Sequence, residues 1–431
     1  MIFFYPNQQK LYKLKSLYYN KQENMEEIVF ERPQYIEILE KLRKKRVIKV
    51  ATGIRRAGKS SVFLMYEAFL KKHGVAEKNI IHLNLEDLQN AELLNYKKLY
   101  AYINEKTAGQ EDFYVFIDEV QQCLFFEKAL SSLFLNSRLD LYVTGSNAYF
   151  LSGELATLLS GRYVEIHILP LSFKEYLFFN KKDGSISAEE KKVMFSKYLS
   201  HGQFPYLAFL GEDEEALRAY MEGIFNTILI KDVCVREKIN DVTLLQRIVK
   251  TVCSNVGSSI SSKRITDTLI SSGRKITGNT VERYLNALCD AFIFYEVPRF
   301  DIRGNEMLKT LGKYYLADTG LRNILIGSRT DDFGHMLENI VYLELKRRGN
   351  QVYVGKAGDA EIDFVCKKGN EISYYQVSAS VLDEATRKRE LSAFIPVKDN
   401  YPKYLLTLDD YDFGSLGGII HKNIVQWMID N

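Results

Sequence analysis

Four residues of the chain, Gly53, Gly58, Lys59 and Ser60, have the spacing G-x-x-x-x-G-K-S, and their types suit the binding of a polyphosphate. Backbone N–H groups of a glycine-rich turn, together with the positive end of a following helix, can donate to phosphate oxygens. Lys59 would reach the β- and γ-phosphates, and the Ser60 hydroxyl would bind Mg²⁺. The alternative is an ordinary glycine-rich turn with a chance lysine.

The segments on either side of this turn favour the phosphate loop. Residues 47–52 form an apolar, β-branched run typical of a buried strand, and residues 61–70 have the pattern of a helix. The sequence therefore predicts a binding site for ATP and Mg²⁺ in the loop. Its predicted nucleotide-binding residues are Gly53, Ile54, Arg55, Arg56, Ala57, Gly58, Lys59, Ser60 and Ser61.

Two adjacent carboxylates, Asp118 and Glu119, follow the apolar run at residues 113–117. This is the form of a Walker B strand, in which Asp118 would bind Mg²⁺ and Glu119 would polarise the attacking water. An ordinary acidic pair at the end of a strand is the alternative, and the phosphate loop upstream favours the catalytic interpretation. His82, on the apolar alternation of an earlier strand, is interpreted as a core or surface histidine rather than a ligand.

A further predicted strand, at residues 139–145, ends in small polar groups. Ser146 or Asn147 could orient water against the γ-phosphate. Equally, residues 145–147 could form a simple turn.

Taken together, these motifs resemble the prokaryotic AAA+ ATPase family with a C-terminal domain of unknown function. The resemblance extends over nearly everything after residue 30, through residues 201–205, Lys231-Asp232, residues 338–342 and residues 361–364. It implies that Arg162, which follows Gly161, is an arginine finger or nucleotide sensor that reaches the γ-phosphate from the same or a neighbouring subunit. The alternative is an arginine in a surface salt bridge.

These residues need particular elements to position them, and the fold class that we predict is α/β. It comprises a P-loop AAA+ parallel sheet with a helical lid, a winged-helix domain and a C-terminal α/β restriction-endonuclease-like domain. The predicted boundaries are an N-terminal arm at 1–30, the ATPase core at 31–172, the lid at 173–241, the winged helix at 242–325 and the last domain at 326–431. An alternative for the arm is that translation starts at Met25.

The order of predicted elements in residues 242–316, three helices and then two strands around a polar turn, resembles a winged helix. Basic residues outnumber acidic ones there, so the segment is a candidate DNA-binding surface. Winged helices also serve as protein-interaction modules, and this alternative stays open. The predicted DNA contacts are Lys263, Arg264, Lys275, Asn279 and Arg283.

Residues 336–378 run helix, strand, strand with an aspartate, strand, which is the order of the restriction-endonuclease-like fold. Glu338 and Asp363 occupy its first two catalytic positions, but Gln376-Val377-Ser378 stands where E-x-K is needed. Because a metal ligand and the lysine that activates water are both missing, we predict a catalytically inactive domain used for binding or assembly. Residual metal binding and plain surface charge are alternatives for the two carboxylates.

Bulk composition bounds the class of protein. The 431 residues suffice for about three domains, and none of their apolar runs approaches the ~18–20 residues of a membrane span. The five cysteines are scattered, without C-x-x-C spacing, which fits a reducing cytoplasm better than a disulfide framework or a zinc site. The net charge of +3, from 58 basic and 55 acidic residues, excludes a polycation.

The sequence therefore predicts an ATP-hydrolysing switch or motor that acts on DNA or on a protein partner, with no membrane partner. One alternative is a nucleotide-gated DNA-binding regulator with little turnover, and a less favoured one is an ATP-gated nuclease. A homo-oligomer is compatible with the pattern. The biological partner and the DNA preference are not encoded in these motifs.

Overall fold

The structure of the protein, a computed structural model, describes residues 32–145, 159, 161–180, 186–211, 213–273, 275–327, 333–411 and 413–430. The predicted N-terminal arm at 1–30 lies outside the described residues. So do Ser146 and Asn147, the predicted sensors of the γ-phosphate.

A five-stranded, fully parallel sheet lies at the centre of the N-terminal part. Its spatial order is β2-β3-β4-β1-β5. Strands β1, β3 and β4 are buried along their whole length, because helices cover both faces of the sheet. The sequences of these three strands are accordingly nearly continuous apolar runs. The strands are β1 (Ile48–Thr52), β2 (Ile80–Asn84), β3 (Phe113–Asp118), β4 (Leu139–Thr144) and β5 (Tyr163–His167).

Where the structure describes the chain, four α-helices accompany this sheet: α1 (Pro33–Leu42), α2 (Lys59–Lys72), α3 (Tyr96–Lys106) and α4 (Phe126–Leu133). Three 3₁₀ helices span Glu77–Asn79, Leu88–Leu94 and Val120–Gln122. Asn95 caps α3 by accepting from the backbone N–H groups of Lys97 and Lys98. The parallel sheet and its helices agree with the predicted P-loop core.

The next segment is helical, as predicted for the lid. Its elements are α5 (Phe173–Asn180), α6 (Ala188–His201), α7 (Leu207–Leu210), α8 (Glu214–Thr227), a π-helical turn (Ile228–Cys234) and α9 (Val235–Glu237). Ser187 and Glu190 form a capping box at the start of α6, since each side chain bonds the backbone N–H of the other. This segment packs on the same hydrophobic core as the sheet.

Three helices and a long hairpin follow: α10 (Val242–Cys253), α11 (Ser262–Ser271), α12 (Gly278–Asp290), β6 (Phe294–Asp301) and β7 (Glu306–Leu316). Ser261 and Thr277 cap α11 and α12, because their side chains accept from the backbone N–H groups of Arg264 and Thr280. Ser259 forms an isolated antiparallel bridge with Lys313 of β7. The second strand of the hairpin is longer than the sequence predicts, because the pattern indicates strands only at 291–297 and 313–316.

The last part of the chain joins this hairpin in one eight-stranded mixed sheet, of order β12-β13-β11-β10-β9-β8-β6-β7. Strand β6 runs parallel to β8, so the segments predicted as winged helix and C-terminal domain share a sheet. The remaining elements are α13 (Thr319–Ile326), α14 (Phe333–Arg347), β8 (Gln351–Ala357), β9 (Ala360–Lys368), β10 (Glu371–Val377), α15 (Glu384–Ser392), β11 (Lys403–Thr407), β12 (Ser415–Leu416), β13 (Ile419–Asn423) and α16 (Ile424–Ile429).

One hydrophobic core links these parts, because buried residues form a continuous cluster from Tyr35 in α1 to Met428 in α16. Two smaller clusters fill the other face of the parallel sheet and the other face of the mixed sheet. Among the residues that the structure describes, no helix combines the length and apolarity needed to cross a bilayer.

Candidate functional site

The glycine-rich turn leaves β1 at its carboxyl end and enters α2 at Lys59. Gly53 has φ +137°, and a Cβ there would lie 2.1 Å from the carbonyl oxygen of Ile168, so only glycine fits. Gly58 has φ +96° and precedes the first helical turn, which carries Ser60 and Ser61. The chain therefore places the N-terminus of a 14-residue helix behind a tight loop, as a phosphate site requires.

The ammonium of Lys59 is buried in the middle of this loop. It donates to the carbonyl oxygens of Gly53 (3.0 Å) and Ile54 (3.3 Å), and only 5% of the residue is exposed. Burial lowers the pKa of this ammonium, and the nearby charge of Glu119 opposes that shift more than any other neighbour does. A cation that has lost its water and bonds only to carbonyls is well suited to bind phosphate oxygens.

Asp118 and Glu119 reach the same edge from β3, and Thr144 of β4 connects them. The Thr144 hydroxyl donates to Oδ1 of Asp118 (3.0 Å) and accepts from the backbone N–H of Glu119 (2.9 Å). Asp118 is buried, whereas Glu119 is half-buried with a left-handed φ of +52° that turns it out of the strand. Thr144 thereby holds the carboxylate of Asp118 and the backbone of Glu119 in fixed positions.

His82 of β2, which the sequence analysis interprets as a core or surface histidine, also contacts this group. Its Nε2 lies 3.4 Å from Oδ2 of Asp118, and its Nδ1 bonds the carboxylate of Glu67 on α2. Burial alone would lower the pKa of the imidazole, but the two carboxylates outweigh it and raise the pKa to about 9. His82 is therefore a cation at neutral pH, and it binds the second oxygen of Asp118.

Arg32, which the sequence analysis does not single out, supports the loop by bonding it at Ala57. Its guanidinium donates to the carbonyl oxygens of Ala57 (3.1 Å) and Leu169 (2.8 Å) and forms a bidentate pair with Glu175 (2.7 and 3.1 Å). The residue is 1% exposed. Since Arg32 precedes α1, a long way from its partners in sequence, no local pattern could identify it.

The remaining loop residues divide by exposure. Ile54 and Ala57 are buried, Arg56 is exposed, and Arg55 is half-buried against Asp232 of the π-helical turn. Ser60 is half-buried at the helix start.

Arg162 does not join this group in its own chain. It precedes β5, and β5 starts beside the first residue of β1, so Arg162 lies at the edge of the sheet opposite the phosphate loop. There its guanidinium contacts the Ser131 hydroxyl (3.3 Å) and lies over the ring of Phe134 (5.7 Å). A contact between Arg162 and the nucleotide would therefore need a neighbouring subunit.

The five predicted DNA contacts lie on or beside the two helices before the hairpin. All five are exposed: Lys263 and Arg264 on α11, Lys275 before α12, and Asn279 and Arg283 on α12. These residues are therefore accessible, and four of the five are basic.

The C-terminal carboxylates Glu338 and Asp363 do meet, around the ammonium of Lys313 from the hairpin. Lys313 Nζ lies 3.4 Å from Glu338, 3.0 Å from Glu361 and 3.7 Å from Asp363. Two effects raise the pKa of Asp363 to about 8: burial is the larger, and the negative charge of Glu338 is the second. A lysine thus supplies the positive charge between these carboxylates.

Gln376 and Ser378, which stand where E-x-K is needed, both form hydrogen bonds within the chain. The Gln376 amide accepts from the backbone N–H of Asp363 (3.2 Å) and donates to Glu390 (2.9 Å), while the Ser378 hydroxyl donates to the carbonyl of Ser380. Within the described part of the chain, no group of three or more His, Cys, Asp or Glu residues could hold a metal ion.

The residues at the carboxyl edge of the parallel sheet suit Mg²⁺-ATP. Ser60 and Asp118 are the side chains that would bind Mg²⁺, and phosphate oxygens and water would complete its shell. Lys59 and the loop N–H groups provide the donors that a polyphosphate needs. This donor set uses one hydroxyl and one carboxylate, so it does not depend on a three-residue metal cluster.

Comparison with known proteins agrees with this site. A family described as an AAA domain matches residues 45–177, and a domain of unknown function (DUF8612) matches residues 193–332. The second match covers the helical segment and the segment with the hairpin, not the last hundred residues. Residues 45–177 are thus an AAA domain, which supports ATP binding.

Two curated relatives are uncharacterized proteins. One, from Haemophilus influenzae, is 36% identical over 406 residues, which are 94% of this chain and 100% of the relative. The other, from Methanocaldococcus jannaschii, is 29% identical over 388 residues, covering 85% of this chain and 83% of the relative. A solved Walker-type ATPase of Pyrococcus abyssi is similar with a TM-score of 0.49 and 16% identity, over 70% of this chain and 97% of that one.

Replacing Thr144 with Val tests its orienting role, because valine keeps the shape and removes the hydroxyl. We expect ATP turnover to fall about 10–100-fold while ATP affinity changes little, since the Asp118 carboxylate and the Glu119 backbone lose their common partner but the loop is intact. Steady-state phosphate release and equilibrium nucleotide titration measure the two effects. The matched control is Thr251→Val on α10, where the hydroxyl bonds the carbonyl of Arg247. Equal turnover in Thr144→Val and in the control would contradict the assignment.

Proposed function

We propose that this chain, which belongs to the same protein family as the Haemophilus influenzae relative matched over its whole length, is a Mg²⁺-dependent ATPase. Its AAA domain would bind and hydrolyse ATP, and hydrolysis would move the helical lid, the winged helix and the C-terminal domain. The observation that carries the proposal is the convergence of Lys59, Asp118, Glu119 and Thr144 at the carboxyl edge of one parallel sheet.

Each of these residues has a role that follows from its chemistry. The loop N–H groups and the Lys59 ammonium bind the β- and γ-phosphates, which lowers the cost of charge that develops during phosphoryl transfer. Mg²⁺, when bound, neutralises phosphate charge. Glu119, turned out of its strand and half-buried, accepts a hydrogen bond from the water that attacks the γ-phosphate.

The order of elements after the lid supports a winged helix. The chain runs α10, the bridge at Ser259, α11, α12 and then the β6–β7 hairpin, and the exposed basic residues cluster on α11 and α12. DNA is therefore the partner that this surface fits best, and a protein partner is the alternative. The parallel pairing of β6 with β8 would transmit a movement of the hairpin to the C-terminal domain.

The C-terminal domain itself fits a restriction-endonuclease-like fold without catalysis. Helix α14, the antiparallel strands β8, β9 and β10, helix α15 and the parallel strand β11 support that assignment. The ammonium of Lys313 lies among the carboxylates, which favours binding or assembly over an ATP-gated nuclease. Arg162, which faces away from its own loop, is available to the site of a neighbouring subunit in a homo-oligomer.

A second candidate function is a nucleotide-gated DNA-binding regulator with little turnover. The exposed basic face on α11 and α12 favours it. The two functions differ in whether the bound nucleotide is consumed.

Replacing Glu119 with Gln separates them. We expect ATP turnover, measured with and without DNA, to fall at least ~100-fold because the amide is a poor proton acceptor, while Mg²⁺-ATP affinity survives. Lys59→Ala should abolish nucleotide binding. Glu111→Gln, an exposed carboxylate paired with Lys78 just before β3, is the control and should behave as wild type. Unmeasurable turnover in the wild type would reject the enzyme and leave the regulator.

The DNA surface has its own test, a triple variant with Arg264, Lys275 and Arg283 changed to Ala. We expect the triple variant to bind a DNA duplex at least about tenfold more weakly. The slope of log K against log[salt] should also become shallower by about 3, because binding releases one fewer counterion for each phosphate contact that is removed. Fluorescence anisotropy across a salt series measures both. The control removes three exposed lysines on α3, which are Lys97, Lys98 and Lys106. If both triples bind DNA equally, the basic face serves a protein partner instead.

A further inference from the structure

Arg55 connects the phosphate loop to the π-helical turn that follows α8. Arg55 forms a bidentate ion pair with Asp232: Nε lies 3.0 Å from Oδ2, and Nη2 lies 3.2 Å from Oδ1. The two side chains are only 13% and 8% exposed. Paired N–H donors and carboxylate oxygens in this arrangement form one of the stronger contacts that side chains can make.

Asp232 lies in an unusual element. Residues Ile228–Cys234 form a π-helical turn between α8 and α9, and such turns are rare and occur frequently at functional sites. The pair Lys231-Asp232 belongs to the motifs by which the sequence resembles its family, yet the ATPase roles above do not use it. Its contact with the loop gives this motif a physical purpose.

The guanidinium of Arg55 lies close enough to Lys59 and Glu119 for their charges to interact. Its third nitrogen contacts Glu86, just after β2, at 3.3 Å. Its charge acts on the Lys59 ammonium, and the charge of Glu119 acts on Arg55 in turn. Arg55 is therefore at the carboxyl edge of the sheet, beside the position that Lys59, Asp118 and Glu119 define for the γ-phosphate.

We propose that Arg55 contacts the terminal phosphate of ATP bound in the loop of its own chain, and that Asp232 competes with that phosphate for the guanidinium. Arg55 is then a catalytic residue and Asp232 a positioning residue. The proposal rests on the proposed ATPase function and deepens it, since it names the group that distinguishes a triphosphate from a diphosphate. Arg55 would thus make, within one chain, the contact with the γ-phosphate that Arg162 can make only from a neighbouring subunit.

The physical basis is the geometry of one guanidinium. Its planar fork bonds either the carboxylate of Asp232 or a phosphate with two parallel N–H groups, but not both with the same pair of nitrogens. A γ-phosphate close to Asp232 also repels its carboxylate. Binding of ATP thus favours separation of the π-helical turn from the loop, whereas ADP leaves the pair intact.

The measured quantity is the ratio of two dissociation constants, Kd for ADP over Kd for ATPγS, each with Mg²⁺ and the full-length chain. Arg55→Ala should lower this ratio about tenfold, and Arg55→Lys should restore it only in part because lysine lacks the fork. Asp232→Asn should raise the ratio at least about threefold, because it keeps the shape and removes the competing charge. Asp232→Glu, which keeps the charge, should return the ratio towards wild type.

Two control variants on α8 make the same chemical changes away from the loop. Arg218→Ala removes an exposed arginine paired with Glu222, and Asp213→Asn replaces the cap of α8 with another capping residue. Both should leave the ratio unchanged. A purely structural role of Asp232 would change both dissociation constants by the same factor, so the ratio would stay constant in Asp232→Asn.

The outcomes separate this inference from the function on which it rests. If the wild type binds neither nucleotide, the proposed ATPase function fails. If the wild type binds ATPγS and Lys59→Ala abolishes that binding, but Arg55→Ala and Asp232→Asn keep the wild-type ratio, the inference about Arg55 alone is overturned. Turnover of Arg55→Ala should also fall by at least ~100-fold at saturating ATP, as for a cis arginine.

Discussion

The buried guanidinium of Arg32 is the interaction on which the nucleotide site depends. A buried charge is tolerated only when nearly all its donors are satisfied, and removing one partner of such a pair costs roughly 3–5 kcal/mol. Arg32 meets this condition by bonding the loop at Ala57, the exit of β5 at Leu169 and the carboxylate of Glu175 on α5. The loop, the sheet and helix α5 therefore share one cation, and none of them can shift without affecting its bonds.

The same region receives the C-terminal part of the chain. Arg347, near the end of α14, donates to the carbonyl of Pro170 (2.8 Å), next to the Leu169 carbonyl that Arg32 bonds. A few residues earlier, His167 at the end of β5 forms a hydrogen bond with the Tyr295 hydroxyl of β6 (2.8 Å). Burial lowers the pKa of this histidine to about 3, so it stays neutral. These contacts run through one continuous core, which provides a physical route from the loop to the mixed sheet.

The comparison of sequence and structure shows which parts of a site are local. Gly53 to Ser60 could be predicted because loop, strand and helix are adjacent in sequence, and Asp118-Glu119 because an apolar run delivers them to the edge of the sheet. His82 and Thr144 join them only through the strand order β2-β3-β4-β1-β5, which the sequence does not encode locally. For the same reason the position of Arg162 at the opposite edge could not be anticipated, since it depends on β5 starting beside the start of β1. Likewise, Lys313 meets Glu338 and Asp363 only because the hairpin enters the C-terminal sheet.

The central claim is that the carboxyl edge of the parallel sheet binds Mg²⁺-ATP. An experimental structure of the full-length chain with Mg²⁺ and a non-hydrolysable ATP analogue tests it most directly. The account predicts phosphates within the loop, with the Lys59 ammonium moved from the carbonyl oxygens of Gly53 and Ile54 to the β- and γ-phosphates, and Asp118 beside the metal shell. An analogue bound elsewhere, or a loop filled while Lys59 keeps its bonds to those two carbonyls, would contradict the account.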